Sequence, residues 1–142
     1  MTFSGARVLA LDLGGRRIGL AASDLMGITA QGLPTLVRRN REQDFAALMR
    51  LAEERQITLF LLGLPLHLSG EEGVQAQKAR AFGTKLAARS RIPVQYWDER
   101  LTTAAAQRVL RSAGASLGQR QKAVDRMAAV ILLQSFLDAQ YR

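Results

Sequence analysis

Apolar and polar residues alternate in different rhythms along this chain, and the changes of rhythm mark out its elements. Residues 6–13, centred on Val8-Leu9-Ala10-Leu11, are apolar without interruption, as in a strand covered on both faces. Past Gly14-Gly15, residues 17–23 predict a second strand joined as in a hairpin, and about 29–37 a third. A helix is expected over about 41–55. Asn40 can cap it, Gln43 follows three residues on in a capping-box-like arrangement, and Phe45, Leu48, Met49 and Ala52 form its apolar stripe. Residues 57–63 are again continuously apolar and stop at Leu64-Pro65. Residues 71–90 are helical in composition, and residues 93–97 make a fifth strand. A helix near 103–113 should end at Gly114, and a last one should open with Ser116 and Gln119 as its capping box. The order is βββαβαβαα.

Three strands that can pair antiparallel, followed by βα alternation, imply an α/β fold: a mixed sheet with helices on both faces. No repeat, low-complexity stretch or linker divides the chain, so residues 1–142 are expected to form a single domain. Sheets of this kind bind ligands at the carboxyl ends of their parallel strands. Asp12 closes the first strand. Asp98-Glu99-Arg100 follows directly on the fifth.

Composition narrows the classes. Hydrophobic residues make up 48% of the 142 residues and there are only 3 prolines, which argues against disorder. The absence of cysteine rules out disulfides and thiolate metal sites. No apolar run is long enough to span a bilayer, and the first residues lack a charged segment followed by an apolar one, so a cytoplasmic protein with no membrane partner is expected. The 20 Lys and Arg against 12 Asp and Glu leave a net charge of +8, which suits a polyanion. Nearly all of these cations are arginines, the better fork for phosphate, and they cluster at Arg16-Arg17, Arg38-Arg39-Arg41, Arg89 with Arg91, Arg108 with Arg111, and Arg120-Lys122-Arg126. Any one cluster is ordinarily a solvated surface. Together they point to nucleic acid.

Candidate chemistry lies in the carboxylates. Asp12 at the end of an apolar strand needs a partner, a proton or a cation, unless it merely caps the Gly14-Gly15 turn. Asp98 and Glu99 could equally be the acidic start of a helix. On the last helix, Asp125 projects onto one stripe with Ala128, Ala129, Leu132 and Phe136, and so faces the core. Carboxylates gathered from two strand ends and a docking helix would repel one another without a cation. Hard oxygen ligands, no Cys and a single His suit Mg²⁺ or Mn²⁺. Two such ions about 4 Å apart can activate water and stabilise a leaving oxygen in phosphodiester cleavage. A metal-dependent nuclease is the expected class. A non-catalytic nucleic-acid-binding or ribosome-assembly module is the alternative. A phosphate loop of an actin-like ATPase would need a second domain and a second Gly-rich loop, for which the chain is too short.

Four stretches carry a resemblance: Leu11-Asp12-Leu13-Gly14-Gly15-Arg16-Arg17-Ile18-Gly19-Leu20-Ala21 with Ser23-Asp24, Gly63-Leu64-Pro65-Leu66, Trp97-Asp98-Glu99-Arg100-Leu101-Thr102-Thr103, and Val124-Asp125-Arg126-Met127-Ala128-Ala129. In this order and spacing they resemble the YqgF/RuvX family. These are small RNase H-like proteins described as Holliday-junction resolvases and as nucleases for the 5′ end of pre-16S rRNA. The resemblance implies an RNase H-like fold with strand order 3-2-1-4-5. It also implies an acidic triad of Asp12, Glu99 and Asp125 that is both catalytic and metal-binding, with Mg²⁺ or Mn²⁺, two ions being expected. Asp12 would bridge the metals, and a water would be the nucleophile. Arg16 or Arg17 would stand on the phosphate side, and Arg100 would be a second candidate for holding the substrate backbone. Thr102 and Thr103 read better as a helix start. The substrate would be an RNA precursor or branched or single-stranded DNA, and a resolvase cutting two strands symmetrically would suit a homodimer. The chain departs from the family at Gly15, often Thr, and at His67, often Asn. His67 reads as a loop residue rather than a general base, Trp97 as a core or dimer-face residue rather than a base stacker, and Glu71-Glu72 as a helix start.

Overall fold

The structure, a computed structural model, describes residues 6–100, 114 and 116–140, and of residues 117–126 the backbone alone. Five strands, β1 (Val8–Leu13), β2 (Arg17–Ser23), β3 (Ala30–Val37), β4 (Leu59–Leu64) and β5 (Val94–Asp98), form one mixed sheet in the order β3-β2-β1-β4-β5. The first three pair antiparallel, with Asp12 opposite Gly19. β4 runs parallel to β1 and β5 parallel to β4, Leu11 standing opposite Leu62 and Gly63 opposite Trp97. The carboxyl ends of β1, β4 and β5 therefore share one edge, as the sequence implied. The architecture agrees with the expected RNase H-like fold, and the strand order with that implied by the resemblance.

Helices cover both faces. Helices α1 (Arg41–Arg55) and α2 (Val74–Ser90) bury Phe45, Leu48, Phe82 and Leu86 against Leu9, Leu11, Ile18, Phe60 and Leu62 on one face. The rings of Phe45 and Phe82 meet at 5.0 Å between the two helices. On the other face α3 (Leu117–Ala139) buries Ala129, Leu132, Leu133, Phe136 and Leu137 against Val8, Ala10, Ala21 and Leu61. The central strands β1 and β4 are thus apolar on both sides, which explains their unbroken hydrophobic runs. Helix α3 begins directly after Ser116, as expected. The helix expected near 103–113, with Thr102 and Thr103, lies outside the described residues.

Local chemistry accounts for the boundaries. Asn40 Oδ1 accepts from the Gln43 N–H at 2.9 Å, the cap read from the sequence, and Gln56 closes α1 in the left-handed region at φ 56°. Its N–H and that of Ile57 are used on the last helical carbonyls, so β4 starts at Leu59, two residues later than expected. Helix α2 starts at Val74, three residues later than expected. Leu66 and Glu72 form an isolated antiparallel bridge, and the His67 N–H donates to Glu71 O at 2.9 Å. The Glu72 carboxylate meanwhile accepts two bonds of 2.7 Å from the Arg80 guanidinium. Glu71 and Glu72 therefore belong to a small loop ahead of the helix. A helical turn begins again at Glu99, straight after β5.

Candidate active site

Asp12 is the penultimate residue of β1 and lies on the face covered by α3, the parity of Val8 and Ala10. Its neighbour across β2 is Gly19, where an added Cβ would sit 3.5 Å from Asp12 Cβ and 3.6 Å from Ala129 Cβ. Helix and carboxylate thus meet over the same residue, and a Cβ there would make ordinary contact with both. Glu99 arrives from the end of β5, two strands away, by crossing over Gly63 of β4. A Cβ on Gly63 would lie 2.8 Å from Glu99 Cγ, well inside van der Waals contact, so only glycine leaves a path for this side chain. Gly63 stands one residue beyond the Leu62–Leu11 pair, level with Asp12.

The two carboxylates meet in a side-chain hydrogen bond, which requires a proton between them. Glu99 carries the consequence. Burial in the first place, then its bond to Asp12, then the negative charges of Asp12 and Asp98 push its pKa up from 4.5 to about 8. Two hard-oxygen ligands held together fit a divalent cation, whose charge would replace the shared proton. Among the described residues no set of three or more such ligands gathers at one place. The third expected ligand, Asp125, has a side chain outside the described residues. Its backbone is in α3, one turn before Ala129. The helix runs antiparallel to β1, so that turn lies toward the carboxyl edge that carries Asp12 and Glu99. The stripe on which Asp125 was projected is buried at Ala129, Leu132 and Phe136.

Neighbouring residues have structural work. Asp98 binds the Arg100 guanidinium through Nε at 3.0 Å and Nη2 at 2.6 Å and also accepts the Arg100 N–H, which holds its carboxyl below the usual range. Arg100 Nη1 reaches Leu68 O at 3.2 Å and so pins the β4–α2 loop to the end of β5. The residue proposed to hold substrate is engaged in that clamp, with its side chain still 38% exposed. The imidazole of His67 lies against Gly73, where a Cβ would come within 2.9 Å of Cε1. Its ring lies at the foot of α2, as befits a loop residue. Trp97 packs under α3: its Nε1–H donates to Ser135 Oγ at 3.0 Å, and its ring meets Phe136 edge-on at 5.3 Å.

Beside the carboxylate pair a groove of about 850 Å³ opens between the β1–β2 turn, the start of α1 and α2, with Glu99 and Gly63 at one end. Arg16 is exposed on its rim; Arg17 is exposed at the first position of β2 and opposes Val37. Arg38 is built into the wall. Its Nη1 donates to Gly14 O at 2.7 Å, its Nε stands 3.9 Å from Asp44, and its guanidinium lies 5.7 Å from the Phe82 centroid. Asp44 is 4% exposed and takes the Arg39 N–H at 3.0 Å. The sequence gives one sign of Asp44, an acidic residue in the first turn of a helix. Gly63 stands in one of the stretches that carry the resemblance, but its role was hidden, because a glycine in an apolar strand does not say whose side chain fills its place.

These features agree with what comparison shows. A relative from Koribacter versatilis (strain Ellin345), named as a candidate pre-16S rRNA nuclease, is 51% identical over 132 residues, 93% of this chain and 86% of its own length. A relative of the same name from Symbiobacterium thermophilum is 44% identical over 134 residues, 94% of this chain and 93% of its own. Among solved structures, T. thermophilus RuvC in complex with a Holliday junction substrate superposes with a TM-score of 0.62 at 12% identity, covering 96% of both chains, a likeness of fold. The model of the RuvX family, described as Holliday junction resolvase, matches residues 6–139. From β1 to the end of α3, the chain belongs to the RuvX family.

Proposed function

We propose that this protein is a metal-dependent nuclease that hydrolyses phosphodiester bonds at the Asp12–Glu99 pair, with Asp125 completing the ligand set. The observation that carries this is the pairing itself. Two carboxylates from strands separated by β4 are brought into a hydrogen bond over a glycine, at the edge where sheets of this kind place their chemistry. Such an arrangement costs stability in the absence of a cation, and the fold nonetheless builds it.

Asp12, Glu99 and Asp125 would hold Mg²⁺ or Mn²⁺, and two ions suit a site with three carboxylates. When bound, the metal supplies Lewis-acid stabilisation of charge at the phosphate and activates the attacking water. The chain's own residues do the rest. Glu99 would release to solvent the proton it shares with Asp12 and, as a carboxylate, could then serve as an oxygen ligand. Asp98 keeps Arg100 and the β4–α2 loop in place beside it. Arg16 and Arg17, exposed at the β1–β2 turn, stand within the same edge to hold phosphate oxygens by charge.

The pre-16S rRNA named for the relatives is the substrate we favour, since they match at 42–51% identity over more than nine-tenths of this chain. The description of the family supports a second reading, junction resolution, which would call for a two-fold dimer. Such work would place the protein in the cytoplasm. Among the described residues no helix is long and apolar enough to cross a membrane. A panel of labelled precursor rRNA, four-way DNA junctions and single strands, incubated with Mg²⁺ or Mn²⁺, tests the assignment. Metal-dependent cleavage of the precursor at its 5′ end is the expected result, and binding without any cleavage would leave only the non-catalytic module.

A further inference from the structure

The groove beside the carboxylate pair has more cationic lining than one scissile phosphate requires. Arg16, Arg39, Arg41 and Lys78 are all exposed on it, and among the described residues none of the four forms an ion pair. Three other arginines are held in ion pairs, Arg80 by Glu72, Arg89 by Glu42 and Arg100 by Asp98. Within the groove the acids are Glu99, at its inner end, and Asp44, which is buried beneath the Arg39 N–H and beside Arg38. Exposed charge along it is therefore of one sign, set in a concave wall that concentrates the field. Arg38 stiffens the wall by tying Gly14 O to the start of α1, so the basic rim is held at a fixed place relative to Asp12.

The aromatic residue of this groove, Phe82, is 5% exposed and lies beneath Arg38. A strand lying here would find no ring on which to stack its bases. It would meet guanidinium and ammonium groups, which read phosphate and carry no base preference. We propose that this groove, through Arg39, Arg41 and Lys78, grips the phosphodiester backbone of the nucleic acid to one side of the scissile bond, without reading its bases. The inference rests on the nuclease reading for the position of the scissile bond, and it adds a substrate channel running from Glu99 toward the start of α1.

The test compares two double variants in an Asp12→Asn background, so that binding is read without cleavage. Arg39→Ala/Arg41→Ala removes two groove cations while keeping the Arg39 N–H bond to Asp44 and the Asn40 cap. Arg50→Ala/Arg55→Ala removes two from the far half of α1. Affinity for labelled single-stranded RNA and DNA of several sequences is followed by fluorescence anisotropy against salt concentration. The groove double should weaken binding for every sequence, on RNA and DNA alike, and reduce the slope of log affinity on log salt by about 1.4, about 0.7 per lost phosphate contact. The control should leave that slope near its original value. Equal effects from the two doubles, an unchanged slope in the groove double, or a loss confined to certain sequences would overturn the proposal. A protein with native Asp12 that shows the groove effect yet never cuts would contradict the nuclease reading and leave the groove standing.

Discussion

At the scale of single residues, the decisive contact is a carboxylate lying across a glycine. Gly63 sits in a strand with ordinary backbone, so Gly63→Ala should add no backbone strain; its cost is the collision with Glu99. We expect the variant to fold, with a melting temperature within a few degrees of the parent, and to lose cleavage by about tenfold or more through kcat. Parental kcat in a folded Gly63→Ala protein would show that Glu99 can reach Asp12 by another path. The same pair sets a pH dependence. The folded pKa of Glu99, about 8, lies above its ordinary 4.5, so the fold favours the protonated form. In metal-free solution that contribution is complete below about pH 4.5 and is lost as pH rises through about 8. Thermal melts of the metal-free protein should therefore fall with pH across this window more steeply than those of Glu99→Gln, which stays neutral. Parallel melting curves would mean that the two carboxylates do not share a proton.

At the scale of elements, the site depends on how helices and loops are seated. Leu132 is 1% exposed between α3 and the sheet, and Leu132→Ala should cost about 2–5 kcal/mol, readable by chemical denaturation. The Arg100–Asp98 pair is partly exposed and contributes little by itself, so Arg100→Ala should change global stability by no more than about 1 kcal/mol. Its effect should appear locally, as faster amide exchange over residues 65–73, whose Leu68 carbonyl it holds. Unaltered exchange there would remove the clamp. These seats differ in how well the sequence announced them. Strands β1 and β4 were legible because burial on both faces leaves an unbroken apolar run, and α1 because Asn40 and Gln43 form a local cap. The start of α2 was not. Glu71 and Glu72 look like a helical first turn until Arg80, eight residues on in α2, draws Glu72 out of it. The Arg100–Asp98 bond was equally hidden, since two residues two positions apart gave no indication that one would clamp the other.

At the scale of the whole molecule, strand order follows from three antiparallel-capable strands and two parallel crossovers. Together these bring the carboxyl ends of β1 and β5 to one edge with β4 between them. The sequence pointed to Asp12 and Glu99 as partners; what it could not supply was the route between them, which depends on the empty place at Gly63. The basic balance of +8 likewise foretold a polyanion, and the fold gathers Arg16, Arg39, Arg41 and Lys78, none of them in an ion pair among the described residues, around one groove. The central claim, that the carboxylate pair is the hydrolytic centre, is tested most directly by Asp12→Asn. With labelled precursor rRNA and Mn²⁺, the variant should retain binding close to the parental affinity while cleavage falls by about a thousandfold or more. Cleavage at the parental rate by a folded Asp12→Asn protein would place the chemistry elsewhere.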